Sequence, residues 1–311
     1  VREADPVLGQ LRQTFSSPQT GLFKANPWLE PHAEEVTRAL ALPGSAPGPA
    51  VATARREAAL ARLRAGATAW NGWATRMHEL AAPLGIDPAA QRLWSYAAAT
   101  DLSGLALAGD FAGLLFPGTL DLTGATFAEA AWFSASICAG EARLDNAHFA
   151  RGAYVERVVF NAAASFAGAT FGGAAEFRQA QFRGPASFRA ARFAKDAWFR
   201  GSSFETALDM SEASFGGEAG FGDIRYRGSA DFSRAVFRDN AGFEAAVFED
   251  VARFDDARFE RNARFEQATF GREPSFDRAR FLGKILFEGV GVPEGQSAVQ
   301  RTLADLARRL G

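Results

Sequence analysis

The 311-residue sequence holds one cysteine, two methionines, three tyrosines and three histidines. A lone Cys138 cannot close an internal disulfide, so no disulfide framework is expected, and a reducing, cytoplasmic setting is. His32, His78 and His148 lie far apart, and there is no CxxC or HExxH spacing, no P-loop and no dinucleotide-binding glycine pattern. With no such constellation the chain is not expected to be an enzyme, nor to carry a cofactor or metal. No apolar run is long enough to span a bilayer, and no signal-peptide pattern opens the chain. The net charge is only -2, so no global field favours nucleic acid or an acidic membrane, and neither is expected as a direct partner.

Phenylalanine, at 29 residues, is what the chain has in excess. All but Phe15 and Phe23 fall in one register, a bulky apolar residue recurring at alternating steps of six and five. The register runs from Leu105 through Phe111, Phe116, Leu122 and Phe127 to Phe287, with Cys138, Leu144, Val155, Met210 and Tyr226 filling gaps. Two residues before the bulky position there is usually alanine, as at Ala164, Ala169, Ala175, Ala180 and Ala186. In extended backbone, residues i and i+2 share a side, so each repeat points one small and one large residue inward. A mean step of five and a half residues does not keep to one face of a helix, and antiparallel strands would alternate for longer. Short extended sides joined by tight corners fit, which means a solenoid. Periodicity alone leaves the number of sides per coil open.

Runs such as ATFGGAAEFRQAQFRGPASFRAARF, with A-x-F at this spacing, resemble the pentapeptide-repeat proteins in their Phe-centred form. The resemblance implies a mainly β fold, a right-handed quadrilateral β-helix with four sides per coil. Four sides total 22 residues here, two more than the regular family coil, and the sixth residue of alternate repeats is expected to bulge at a corner. About eight and a half coils, at about 4.8 Å per layer, would make a rod about 40 Å long.

The flanks lack the repeat. Residues 1–99 read as a helical N-terminal domain, 100–290 as the solenoid and 291–311 as a C-terminal capping or dimerisation helix. Candidate helices are Pro6–Phe15, Pro31–Leu42, Ala52–Leu84 and Pro88–Ala98, with a linker at Pro43–Ala50. In the third, Leu60, Leu63, Ala67, Trp70, Ala74, Met77, Ala81 and Leu84 form a heptad seam, read either as buried within the domain or as a dimer or partner helix. Gln296–Leu310 is amphipathic through Val299, Leu303, Leu306 and Leu310. It either caps the solenoid end, whose strand edge is otherwise unpaired, or makes a homodimer through the C-terminal end, as the resemblance implies.

A 22-residue coil lets outward residues be read as stripes. Trp132, Tyr154, Glu176 and Trp198 make an aromatic stripe, a partner-binding candidate unless the helical domain covers it. Glu244, Glu266 and Glu288 make an acidic ridge, also a candidate, with Arg253 and Arg264 nearby in sequence. Arg183, Glu205, Arg227 and Glu249 alternate in sign and read as an inter-coil charge ladder. Cys138 sits in the bulky register and reads as a core thiol, while His148 precedes Phe149 and should face outward.

Two functions follow. One is a noncatalytic scaffold binding an unidentified partner protein through the solenoid surface and helical domain. The other comes from the resemblance: some family members imitate duplex DNA and bind type II topoisomerases, inhibiting them or protecting them from toxins. Residues 100–290 hold 26 acids and 21 bases, a net charge of -5. Duplex DNA carries one charge per roughly 1.7 Å, so uniform mimicry is several-fold short of charge. The basic band Arg178, Arg183, Arg189, Arg192, Lys195 and Arg200 also opposes it.

Overall fold

The computed structural model describes residues 17–82 and 87–291. The described residues divide into two compact units, one formed by those up to 101 with 115–119, the other by 102–114 with 120–291. The expected helices Pro6–Phe15 and Gln296–Leu310 lie outside the described residues.

The first unit contains α1 (Ser17–Ala25), a 3-10 turn (Pro27–His32), α2 (Ala33–Ala41), α3 (Pro49–Arg64), α4 (Ala67–Ala81) and α5 (Pro88–Ala98). The single helix expected over Ala52–Leu84 is two helices. Gly66, with φ +91°, adopts a conformation other residues resist and breaks the chain between them. The heptad seam fails at the same point, since Ala67 is exposed whereas Trp70, Trp73, Ala74 and Met77 are buried. Leu84 lies outside the described residues. α1 carries no sequence signal because Gly21 interrupts it. A Cβ there would lie 2.6 Å from Leu80 Cδ2, the movable tip of a half-buried side chain. The core also buries Asn26. Its Oδ1 accepts from Trp73 Nε1 at 3.0 Å and from Arg62 Nη2 at 3.2 Å, and its Nδ2 donates to the Leu22 carbonyl at 3.0 Å. Burial pulls the Arg62 guanidinium down to about 10, and it lies 4.3 Å over the Trp73 ring.

The second unit is a parallel β-solenoid of four faces. Each side is a strand of two or three residues that pairs with its equivalents one coil before and after. One face runs from Ala106–Leu107 through Thr126–Phe127, His148–Phe149 and Thr170–Phe171 to Arg280–Phe281. The register is 22 residues, as in Phe171↔Phe193 and Ala175↔Ala197. Alanines and phenylalanines alternate inward, and Phe171, Phe177, Phe182, Phe188 and Phe193 are buried together with Ala169, Ala175, Ala180, Ala186 and Ala191. Stacked coils place ring on ring. Phe149, Phe171 and Phe193 follow one another at centroid separations of 4.9 and 4.7 Å, with planes 5° and 2° apart. Neighbouring columns meet edge to face, as Phe177 and Phe188 do at 5.2 Å and 88°. Both are favoured aromatic geometries.

The first coil departs from the expected register. Leu107, not Leu105, pairs with Phe127, while the Leu105 carbonyl accepts from Thr126 N at 2.8 Å. Leu105 therefore occupies the alanine position, and this coil is two residues short between Leu107 and Phe111. Gly109 allows the shortcut, since a Cβ there would sit 2.8 Å from Ala131 Cα.

The two step lengths correspond to two kinds of corner. Five-residue steps turn through a residue of positive φ, two positions after the bulky residue. These recur every eleven residues, as at Ala135, Asn146, Arg157, Gly168, Gln179, Ala190 and Gly201. Most are not glycine, so stacking rather than residue preference imposes the conformation. The corner is closed locally, as by Ala191 N to Phe188 O at 3.0 Å, and bonded to the next coil, as by Ala190 N to Ser211 O at 2.9 Å. The sixth residue of the longer steps lies in the wider bends of the other corners, such as Arg183–Pro185.

Phe193→Ala is expected to cost about 3–5 kcal/mol in chemical denaturation, against under about 0.5 kcal/mol for Arg192→Ala on the adjoining outward position. Equal costs would refute the inward assignment. Ala190→Gly should stabilise by about 0.5–1 kcal/mol, because relief of the positive-φ strain exceeds glycine's greater entropy loss on folding. Destabilisation would show that the corner carries no strain.

Candidate interaction surface

No enclosed chemical site emerges from the described residues. Among them, no group of three or more His, Cys, Asp or Glu side chains could hold a metal ion, and no helix is long and apolar enough to cross a membrane. Cys138 is buried in the wall, where desolvation pushes its thiol up to about 12. The void beside it measures about 10 Å³, room for about one water. His148 faces outward, its Nδ1 2.6 Å from Thr170 Oγ1. Cys138 and His148 therefore lie on opposite sides of the wall and do not form a nucleophile–base pair.

The chemistry lies on the outward columns, and one face with the corner that borders it carries all six candidate partner residues. Its strands place Trp132, Tyr154, Glu176, Trp198, Gly220, Gly242, Arg264 and Leu286 in successive coils. Trp132 and Tyr154 stack, with ring centroids 4.0 Å apart and planes 8° apart. Trp132 is 45% exposed, an unusual state for an indole, and Tyr154 is half-buried. Trp198 is aligned with them but less available. Its ring lies where a Cβ of Gly220 would be, 2.4 Å from that position, and the Arg178 guanidinium is 5.3 Å from its centroid. Between the aromatics, burial raises the Glu176 carboxyl above its usual range, while Arg178 at 3.2 Å opposes the shift.

Beside this column runs a second, formed by the residue after each bulky position: Glu156, Arg178, Arg200, Gly222, Glu244, Glu266 and Glu288. Backbone bonds fix the stacking, as in Gln179 N to Arg200 O at 3.1 Å and Asp223 N to Glu244 O at 2.8 Å. The acidic ridge is thus the far end of a column whose near end holds two of the band's arginines, with Gly222 between them. Glu244 is neutralised by Arg264, Nε to Oε1 at 2.8 Å, whereas Glu288 is exposed. The two candidate patches therefore adjoin, as the 22-residue spacing implies, since Glu244 is two residues beyond Gly242 of the aromatic column. A shallow depression of about 560 Å³ is lined by Glu156, Arg157, Arg178, Gln179, Arg200, Gly201 and Asp223. Its arginines are largely engaged, Arg178 with Glu176 and Arg200 with Asp223 at 2.7 Å.

The expected charge ladder is partly made. Arg227 pairs with Glu205, but Glu249 takes Arg225 at 2.9 Å and Arg183 bonds Asn161 at 2.9 Å. Another ladder, at the positive-φ corners, joins Arg234 to Glu212 at 2.9 Å and Arg278 to Asp256 at 2.7 Å. These pairs are exposed and contribute little individually.

At pH 8, Cys138 in the folded chain is expected to react with iodoacetamide at least about 100-fold more slowly than in denaturant, because almost no thiolate is present. Comparable rates would place the thiol at the surface.

A family model described as "Pentapeptide repeats (9 copies)" matches residues 166–214 and 243–290. No curated protein and no solved structure matches the chain.

Proposed function

Because this chain is a pentapeptide-repeat protein, we propose that it is a noncatalytic interaction scaffold whose partner protein docks on the face bearing Trp132 and Tyr154. The observation that carries this reading is the stacked pair itself. A solenoid that buries its aromatic rings leaves one indole 45% exposed, packed flat on a tyrosine in the next coil. Preorganised stacking lowers the ordering cost that a binding side chain usually incurs, and Trp and Tyr are the residue types that most often dominate protein interfaces. Arg178 and Arg200 on the adjoining column add directional donors to the same face.

Duplex mimicry by this face is less favoured, because Arg178 and Arg200 occupy the same column as Glu244, Glu266 and Glu288. The test uses immobilised wild-type chain and the double variant Trp132→Ala/Tyr154→Ala, exposed to lysate of the source organism and read by quantitative mass spectrometry. A specific partner should fall at least about tenfold in the variant, with circular dichroism unchanged. Undiminished capture would sink the reading. A supercoiling assay with purified gyrase runs alongside. Inhibition that weakens with added salt would move the assignment to topoisomerase modulation.

A further inference from the structure

The two adjoining columns have a property that neither has alone: about the level of Gly220 and Gly222 they are self-complementary. Turn a second copy antiparallel, face to face, about a two-fold axis at that level. Each coil then meets the coil equally far on the other side of the axis, and each column meets itself. Arg200 comes opposite Glu244, and Arg178 opposite Glu266. In the adjoining column Glu176 comes opposite Arg264, Trp198 opposite Gly242, and Tyr154 opposite Leu286. Three opposed pairs are of opposite charge, one sets the largest side chain against none, and one joins two apolar groups. Each occurs twice by symmetry, as an isologous interface requires.

We propose that a second copy of this chain docks on this face, antiparallel, with the two-fold axis at the Gly220–Gly222 level. This goes beyond the partner reading and does not depend on it. The occupant is argued from charge complementarity along the two columns. Gly220 pairs with Gly242 across the sheet. With no Cβ at either position, the Trp198 ring lies down over Gly220 and the Glu244 carboxylate over Gly242, so the middle of the face is low and presents an indole beside a carboxylate. Leu286 is 37% exposed and Tyr154 half-buried, so each keeps apolar surface that the other would cover. The arginines retain capacity for a second partner. Arg200 is 71% exposed beyond its bond to Asp223, and a guanidinium has five N–H donors. Arg264 already bridges Glu244 and Glu218, both at 2.8 Å, so it works as a node in a network rather than as half of a closed pair. One opposed pair is mismatched, Glu156 with Glu288. It falls at the outer end of the strip, where Glu288 is exposed and water and salt screen the repulsion.

Light scattering and sedimentation velocity on the full chain test the arrangement. At about 100 µM protein and about 50 mM salt the chain should have twice the monomer mass, reverting toward monomer by about 0.5 M salt. Arg200→Glu sets acid against acid and should be monomeric. Glu244→Arg sets base against base and should be monomeric too. Mixed in equal amounts, the two variants should form a heterodimer, since each mutated side then meets its opposite charge in both copies. Rescue on mixing also shows that each variant folds. A chain that stays monomeric at low salt overturns the proposal. So does a dimer that both substitutions leave intact, which is what association through the C-terminal end would give.

Discussion

Every other feature of the solenoid depends on the hydrogen-bond spacing of parallel strands. That spacing, about 4.7–4.9 Å, is fixed by backbone geometry. It is also a separation at which two aromatic rings stack, and the inward phenylalanines take it up, as Phe171 and Phe193 do at 4.7 Å. Backbone and core therefore ask for the same advance per coil. Neither strains the other, so the same coil can be repeated with only local change. Where a residue smaller than phenylalanine enters the ladder, as at Cys138, Leu144 and Val155, the wall holds its register and leaves a small void instead.

The same lock explains the corners. Once each strand must lie over its predecessor, the turn between sides has no freedom to suit its own residue. Arg157, Gln179 and Glu212 are held at φ of 57°, 58° and 62°, values that such residues rarely adopt. The cost is offset because the corner N–H groups bond to the next coil, as Gln179 N does to Arg200 O at 3.1 Å. Local strain is thus carried by a cooperative stack, as expected where stability is a sum over nearest-neighbour layers.

Much of this was legible in the residues, and what was not has physical reasons. The Phe–Ala pattern reveals the inward face by counting alone, whereas the 22-residue coil, and with it the outward stripes, also needed the four sides per coil that the family resemblance implied. The positive-φ corners left a faint trace. Gly113, Gly124, Gly168, Gly201 and Gly289 differ by multiples of eleven, but the intervening corners carry ordinary residues and hide the period. The short first coil was invisible because Leu105 and Leu107 are both apolar, so either could fill the bulky position. The break at Gly66 was obscured by a heptad pattern that continues across it. Trp198 was placed in the correct stripe, but its availability was overestimated. Gly220, one coil on, is what lets the ring lie down against the backbone.

The division between inward and outward positions also bears on where function can reside. The inward ladder is under the full constraint of packing, and any solenoid of this kind needs it, so it says little about what this chain does. The outward columns are under almost none. Ion pairs such as Arg234 with Glu212 contribute little singly, so an outward residue can be exchanged at small cost to stability. Yet its position is known closely, because the register places it over its neighbour one coil away. A surface that is cheap to alter and rigidly placed can carry chemistry in lines along the axis. On this chain one such face passes from stacked aromatics and arginines, through glycines, to carboxylates. That change of sign argues against a uniform charged surface and favours a partner that reverses it along the same axis.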